Sequence, residues 1–344
     1  MKSFIVININ SQARRVESSF VVCVLRATLL IFIALCCGCA SARKPVPPGT
    51  VPEPPALRAA DERNGQETLG ELSRQYQLSR DDAQKDRVEQ LVARLAAAAL
   101  ASNETPWHIT VFNAPTVKNA AATRGNFLFV WSGLLDYLRS DEELAVILAH
   151  ELGHILAGHT MPDPAQTANQ AMAQVGGAVA GGVIGSTANF GLAGDLAGKL
   201  TELALQALIV NPGQRRVETE ADEIGLFLLA KAGFDPDNAI NFWQRVQNDP
   251  NFGGGSFAFL STHPSSSDRF THLLSLASAA QSARLDAYKI RSNNPVLYEL
   301  PSRRSAIIND TVRKNDFFFG APPQKGWVCG PSGCIEQSNL GGKL

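Results

Sequence analysis

"AHELGHILAGHT", residues 149–160, carries three of the chain's six histidines, His150, His154 and His159. Two readings compete for this stretch, buried core histidines that share a helix, or ligands of a metal ion. The residues just upstream decide its local structure. Ser140 with Glu143 three positions on forms a capping box ahead of the apolar run "LAVILAHELGHILAGH", so the stretch is a helix, and "TMPDP" stops it near Gly158. On a helix His150 and His154 lie four residues apart on one face, able to reach one metal ion through their imidazole nitrogens. Glu151 sits beside them without being forced to ligate, the position required of a general base that activates water.

His159 does not share that face. Five residues beyond His154, it lies about 140° further round a regular helix, so it is expected to be a local structural residue near the helix end. A third protein ligand must come from elsewhere, because a catalytic metal keeps one position open for water. "ETEAD", residues 218–222, supplies it. Glu218 and Asp222 share a face of a second helix, read from "QRRVETEADEIGLFLLAKAGF", and the small Ala221 and Gly225 on the same side allow close helix contact. Glu218 is therefore the expected third ligand and Asp222 the acceptor that orients a ligating histidine. Glu220 projects about 200° away from Glu218 and is rejected as the ligand. The alternative for this segment is an acidic, solvated helix face.

The rest of the chain sets the context. Its 344 residues, 45% hydrophobic, suffice for one large domain with extensions. The formal net charge of −1, with basic and acidic residues interspersed, gives no footprint for a nucleic-acid partner. Arg14, Arg15 and Arg26 precede "ATLLIFIALCCGC", residues 27–39, an apolar run shorter than the about 20 residues that span a bilayer and suited to a secretory signal. Residues 1–38 are thus expected to be removed, with an uncleaved signal anchor as the competing reading. "KPVPPGTVPEPP" follows as a Pro-rich tether, within residues 39–61. "WHITVF" and "GNFLFVWSG" read as strands, the second offering a sheet edge for an extended peptide, and residues 66–101 as helix. Residues 175–199, rich in Gly and Ala, read as a closely packed or membrane-grazing segment. Near the other end, Cys329 and Cys334 flank "GPSG" and could close a disulfide in an oxidising compartment.

The order His, Glu, two spacers, His matches the zincin motif, although a longer metzincin form is absent, because Ala157 and Thr160 occupy its further positions. "HELGH", then "RRVETEADEIG", then "STHPSSSDR" at residues 261–269, together resemble the gluzincin zinc metallopeptidases of the HtpX and CAAX prenyl protease type, in the branch with periplasmic BepA and the mitochondrial quality-control protease. The resemblance covers about residues 62–280. It departs at Gln214, where that family often has Ser.

The resemblance implies an α+β, mainly helical fold: a zincin-type catalytic domain, residues 62–290, with a small antiparallel sheet and an HExxH helix packed on a second Glu-bearing helix, followed by an extension at 291–344. It implies one Zn2+ held by His150, His154 and Glu218, with Glu151 as base. It also brings His263 of "THP" near the metal; there its imidazole could take the fourth position and hold the enzyme latent, the competing reading being a residue that only hydrogen-bonds within its loop or helps bind substrate. "CCGCAS" resembles a lipobox with Cys39 as the lipidated first mature residue, and Ala40 after it implies the inner leaflet of the outer membrane. The expected function is a zinc endopeptidase of the bacterial envelope that degrades misfolded or misassembled periplasmic and outer-membrane proteins. The alternatives are an envelope chaperone or assembly factor with the same fold and a zinc-stabilised structural lipoprotein.

Overall fold

The computed structural model describes residues 44–99, 106–161, 214–248, 259, 263, 267–308 and 312–344. The signal run with Cys39, the Gly/Ala-rich stretch 175–199 and Pro264 of the "THP" segment lie outside the described residues. Within them the chain runs through α1 (Ala59–Gln75), β1 (Gln77–Leu78), α2 (Asp82–Ala98), β2 (His108–Asn113), β3 (Ala120–Thr123), β4 (Phe127–Trp131), α3 (Ser132–Tyr137) and α4 (Asp141–Leu156). Then come α5 (Gln214–Lys231), α6 (Asp237–Asn248) and α7 (Ser267–Ser282), before the C-terminal strands. The helical periodicity expected over 66–101 is thus split, because the chain becomes extended at Tyr76 and β1 joins the first sheet.

That sheet has the order β1-β2-β4-β3. It is mixed rather than antiparallel: β2 and β4 run parallel, while β1 and β3 pair antiparallel at the edges. β3 is an Ala-rich strand with weak intrinsic β-propensity, invisible to the pattern of β-branched and aromatic residues that marks β2 and β4. Its presence corrects one expectation. β4 is buried along its whole length between β2 and β3, so the edge beside the metal-helix candidate α4 belongs to β3. Gly125 (φ 78°) and Asn126 (φ 59°) make the β3-to-β4 turn, both in the left-handed region.

α4 is the central element of the main core. Ser140 caps it by accepting the Glu143 N–H at 3.3 Å. The Glu143 carboxylate reaches back to the Arg139 N–H at 2.8 Å and is gripped by Arg245 of α6 at 3.0 and 2.6 Å, so the cap also fixes α6 to α4. Every residue from Leu144 to Leu156 is buried. α4 meets α5 at very short range through small residues. A Cβ on Gly153 would fall 2.6 Å from the Ala221 carbonyl oxygen, and one on Gly225 3.1 Å from the Ala149 carbonyl.

Residues 286–344 form two further sheets, β11-β5-β8 and β7-β6-β10-β9, built from β5 (Asp286–Ile290), β6 (Leu297–Tyr298), β7 (Ile307–Ile308), β8 (Phe317–Gly320), β9 (Trp327–Gly330), β10 (Gly333–Glu336) and β11 (Leu340–Lys343). β5 pairs with both β8 and β11, so the boundary expected at residue 290 falls inside one sheet. Cys329 and Cys334 face each other across the β9–β10 hairpin and form a disulfide.

The Pro-rich stretch is not a free tether along its described length. Pro47 to Thr50 closes a turn with Gly49 at φ 74° in its third position, the type II arrangement that Pro-Gly favours. The Val46 N–H donates to Glu220 at 2.5 Å and the Gly49 N–H to Glu223 at 2.8 Å, both carboxylates on α5. Val46 and Val51 pack on the main apolar core. Backbone donors and small apolar side chains let this segment lie along α5 as a strap.

Candidate metal centre

Four side chains from three parts of the chain converge at the α4–α5 contact. One ligand atom from each of His150, His154, Glu218 and His263 lies within 4.8 Å of the others, and all four residues are buried. His150 and His154 come from successive turns of α4, with their Nε2 atoms 3.1 Å apart. Glu218 of α5 puts Oε2 at 3.4 Å from His150 Nε2 and Oε1 at 3.5 Å from His154 Nε2. His263 brings Nδ1 to 3.1 Å from both His150 Nε2 and Glu218 Oε2. Its ring stacks on Phe259 at 4.6 Å, and its N–H donates to the Phe259 carbonyl at 2.7 Å, a one-turn clamp that aims it inward.

The surroundings orient these groups. Asp222, one turn beyond Glu218, places Oδ1 at 2.9 Å from His150 Nδ1. A carboxylate there accepts the Nδ1–H, and in the neutral ring this leaves the Nε2 lone pair directed into the cluster. Arg269 of α7 holds Asp222 by Nε to Oδ2 at 2.6 Å and Nη2 to Oδ1 at 2.8 Å, and its Nη1 lies 3.2 Å from Glu218 Oε2. Burial opposes the charged form of Asp222, yet Arg269 and His150 hold its pKa below the ordinary carboxylate value. Burial likewise opposes charge on Glu218, and His263, His154 and His150 hold it well below that value.

On His150 burial works against protonation, but Asp222 and Glu218 outweigh it and raise the pKa to about 9. Burial drives His154 well below its ordinary value, keeping it neutral. Glu218 and Asp222 thus hold two ionised carboxylates against the imidazoles in a buried pocket, which draws positive charge, a proton or a metal ion, to their meeting point.

Glu151 stands apart from the converging atoms but against them. Burial pushes its carboxyl pKa up, opposed by His263 and His150, and the Ala122 backbone of β3 hydrogen-bonds to it. Its Oε1 is buried 3.2 Å from His263 Nε2, without the alignment of a hydrogen bond. A carboxylate with raised pKa and a lone pair to spare at the rim of a cation pocket is suited to taking a proton from water.

Two neighbours were not legible as site residues. Arg269 is the last residue of "STHPSSSDR", but only the fold brings its guanidinium to Asp222. His159 folds back onto His154, Nδ1 to Nδ1 at 3.0 Å, and its Nε2 lies 3.2 Å from Glu220 Oε2. Glu220 itself is outside the four-residue cluster.

The donor set suits a metal ion. Imidazole nitrogens and a carboxylate oxygen are the ligand types of first-row divalent ions, and one such atom from each of four buried side chains converges here. A His-Glu-x-x-His helix with a carboxylate from a second helix defines a metallopeptidase. The family profile of Peptidase family M48 matches residues 82–277, and the chain belongs to that family. It is 34% identical over 182 residues to the mitochondrial metalloendopeptidase OMA1 of Schizosaccharomyces pombe, covering 53% of this chain and 50% of that protein. It is 29% identical over 199 residues to a putative beta-barrel assembly-enhancing protease of Vibrio cholerae, 56% of this chain and 38% of that protein. It is 28% identical over 177 residues to the metalloprotease LoiP of Escherichia coli, 52% and 65% of the two chains. The chain spans about half the length of the OMA1 relatives it matches. Among the described residues no helix is long and apolar enough to cross a membrane.

Proposed function

We propose that the chain is a zinc-dependent endopeptidase with a zincin-type catalytic domain, anchored by a lipid on Cys39 in a bacterial envelope and acting on misfolded or misassembled envelope proteins. The observation that carries the catalytic part is the buried Glu151 carboxylate set against the convergence of His150, His154, Glu218 and His263. A zinc ion held by His150, His154 and Glu218 would polarise the scissile carbonyl and the attacking water. Glu151 takes the proton from that water and returns it to the leaving amine, a transfer its burial-raised pKa favours. Asp222, backed by Arg269, keeps His150 in the ligating tautomer. An extended peptide adds as a strand on the outer edge of β3, whose Ala122 backbone also contacts Glu151, so recognition is through backbone more than side chains.

The envelope assignment draws on the N-terminal pattern around Cys39 and on the bacterial proteases among the relatives, and the mitochondrial relatives share the endopeptidase description. His263 would serve as a further, latency ligand in this reading, with a buried imidazole that contacts both Glu151 and Glu218.

Two measurements test the proposal. The purified zinc-loaded protein should degrade unfolded casein while Glu151→Gln retains zinc and does not; equal turnover by both would remove Glu151 as the base, and no turnover by either would favour the chaperone alternative. Fractionation and N-terminal mass spectrometry should find acylated Cys39 in the outer membrane, and release into the periplasm in Cys39→Ser. An unmodified Cys39 would sink the anchor.

A further inference from the structure

His159 and Glu220 have no part in the mechanism above, yet both are joined to it. The helix α4 ends in a Schellman motif: the Gly158 N–H bonds the Ile155 carbonyl at 2.9 Å, and the His159 N–H bonds the His154 carbonyl at 2.8 Å, with Gly158 at φ 72°. The left-handed glycine reverses the chain, so the residue after it lies over the last turn rather than five positions round a continuing helix. The imidazole of His159 therefore stands behind that of His154, Nδ1 to Nδ1 at 3.0 Å, with ring centroids 5.0 Å apart. On its far side, His159 Nε2 meets Glu220 Oε2 at 3.2 Å, with the His159 side chain only 3% exposed and Glu220 14% exposed.

One set of tautomers satisfies the whole row. If His154 ligates through Nε2, which faces His150 and Glu218, its proton sits on Nδ1 and is donated to His159 Nδ1. His159 then carries its proton on Nε2 and donates it to the Glu220 carboxylate. Glu220 is itself held from the other side by the Val46 N–H of the strap. His150 has Asp222 behind it, and His154 has His159 backed by Glu220 in the corresponding place.

We propose that His159 is a positioning residue for the metal centre, with Glu220 as its anchor: the pair fixes the tautomer and ring angle of His154 through a carboxylate–imidazole–imidazole row. This rests on the reading of His154 as a metal ligand. A partner behind a ligating histidine contributes about 10–100-fold in metal affinity, which sets the size of the expected effect.

The test uses the full chain, stripped of metal and titrated with zinc against a chromophoric chelator, alongside denaturant unfolding of the metal-free protein. His159→Phe keeps a ring of similar size without either nitrogen. It should weaken zinc binding by about 10–100-fold while the metal-free unfolding midpoint stays near that of the wild type. His159→Asn, which retains an acceptor near the Nδ1 position, should recover a substantial part of the loss, and Glu220→Gln should weaken zinc binding less than His159→Phe does. Unchanged zinc affinity in a folded His159→Phe would overturn the proposal, as would a loss of metal-free stability with affinity intact, or no recovery in His159→Asn. If the wild type binds no zinc at this site, the reading of the metal centre itself fails, an outcome separate from any of these.

Discussion

Arg269 holds Asp222 in a two-pronged ion pair directly behind His150, with Nε–Oδ2 at 2.6 Å and Nη2–Oδ1 at 2.8 Å, both partners buried. A guanidinium suits this place better than an ammonium, because its planar fork meets both carboxylate oxygens and still reaches Glu218. The pair links α7 to α5 and, through His150, to α4, so it is both a structural tie and the outer support of the candidate metal site.

Removing that guanidinium leaves a buried carboxylate without its main counter-charge. Arg269→Leu should cost about 3–5 kcal/mol of stability and much of the zinc affinity, whereas Arg269→Lys should restore charge without the fork and fall between. Denaturant unfolding with metal analysis on the same samples checks this. A fully stable, zinc-replete Arg269→Leu would show that the ion pair supports neither α7 nor the site.

Two glutamates two positions apart on α5 should behave differently. Glu218→Gln should purify without stoichiometric zinc and without activity, because a neutral amide is a poor ligand. Glu220→Gln should still load one zinc per chain when zinc is in excess, since its carboxylate meets His159 and the strap rather than the cluster. Metal content by mass spectrometry decides between them. A metal-free Glu220→Gln in excess zinc would reverse the assignment.

The α4–α5 contact leaves no room for a methyl group at Gly153. Gly153→Ala gains about 1 kcal/mol in helix propensity, but its Cβ would sit 2.6 Å from the backbone oxygen of Ala221, which cannot rotate aside. The clash should dominate, lowering stability and zinc affinity together as the two ligand-bearing helices move apart. At Gly70 in α1 an added Cβ would meet nothing within 4 Å, so Gly70→Ala should raise stability by about 0.5–1 kcal/mol. Thermal unfolding of the pair gives the comparison, and equal stabilisation by both would contradict the tight contact.

His263 contacts Glu151, Glu218 and His150 at once. Its replacement by alanine should keep zinc, since three ligands remain, and should raise casein turnover several-fold by freeing the position for water. A parallel gain in self-cleavage is expected. Turnover equal to or below the wild type would assign His263 to loop structure or substrate binding instead.

Much of the site follows from local periodicity. A helix places residues four apart on one face whatever surrounds it, so His150 with His154, and Glu218 with Asp222, could be paired from spacing, and the small residues between them announced a close helix contact. Ser140 could be read as a cap because its partner is three residues away. The same regularity misled at its limit. Carrying the helical angle past Gly158 sent His159 away from His154, whereas one left-handed residue ended the helix and brought the ring back.

What the sequence by itself determined is therefore the set of local geometries: which residues share a helix face and where those helices start. Tertiary structure alone decided which edge of the sheet borders α4, that Arg269 reaches Asp222, that β5 belongs with β8 and β11, and that the Pro-rich stretch docks on Glu220 and Glu223. The physical reason is the range of the interactions. Capping and helical spacing are settled by hydrogen bonds within a turn or two of chain. Strand order, buried ion pairs and strap docking depend on groups far apart in sequence, whose pairing is selected only when the whole core closes and every buried charge and backbone group must find a partner at once.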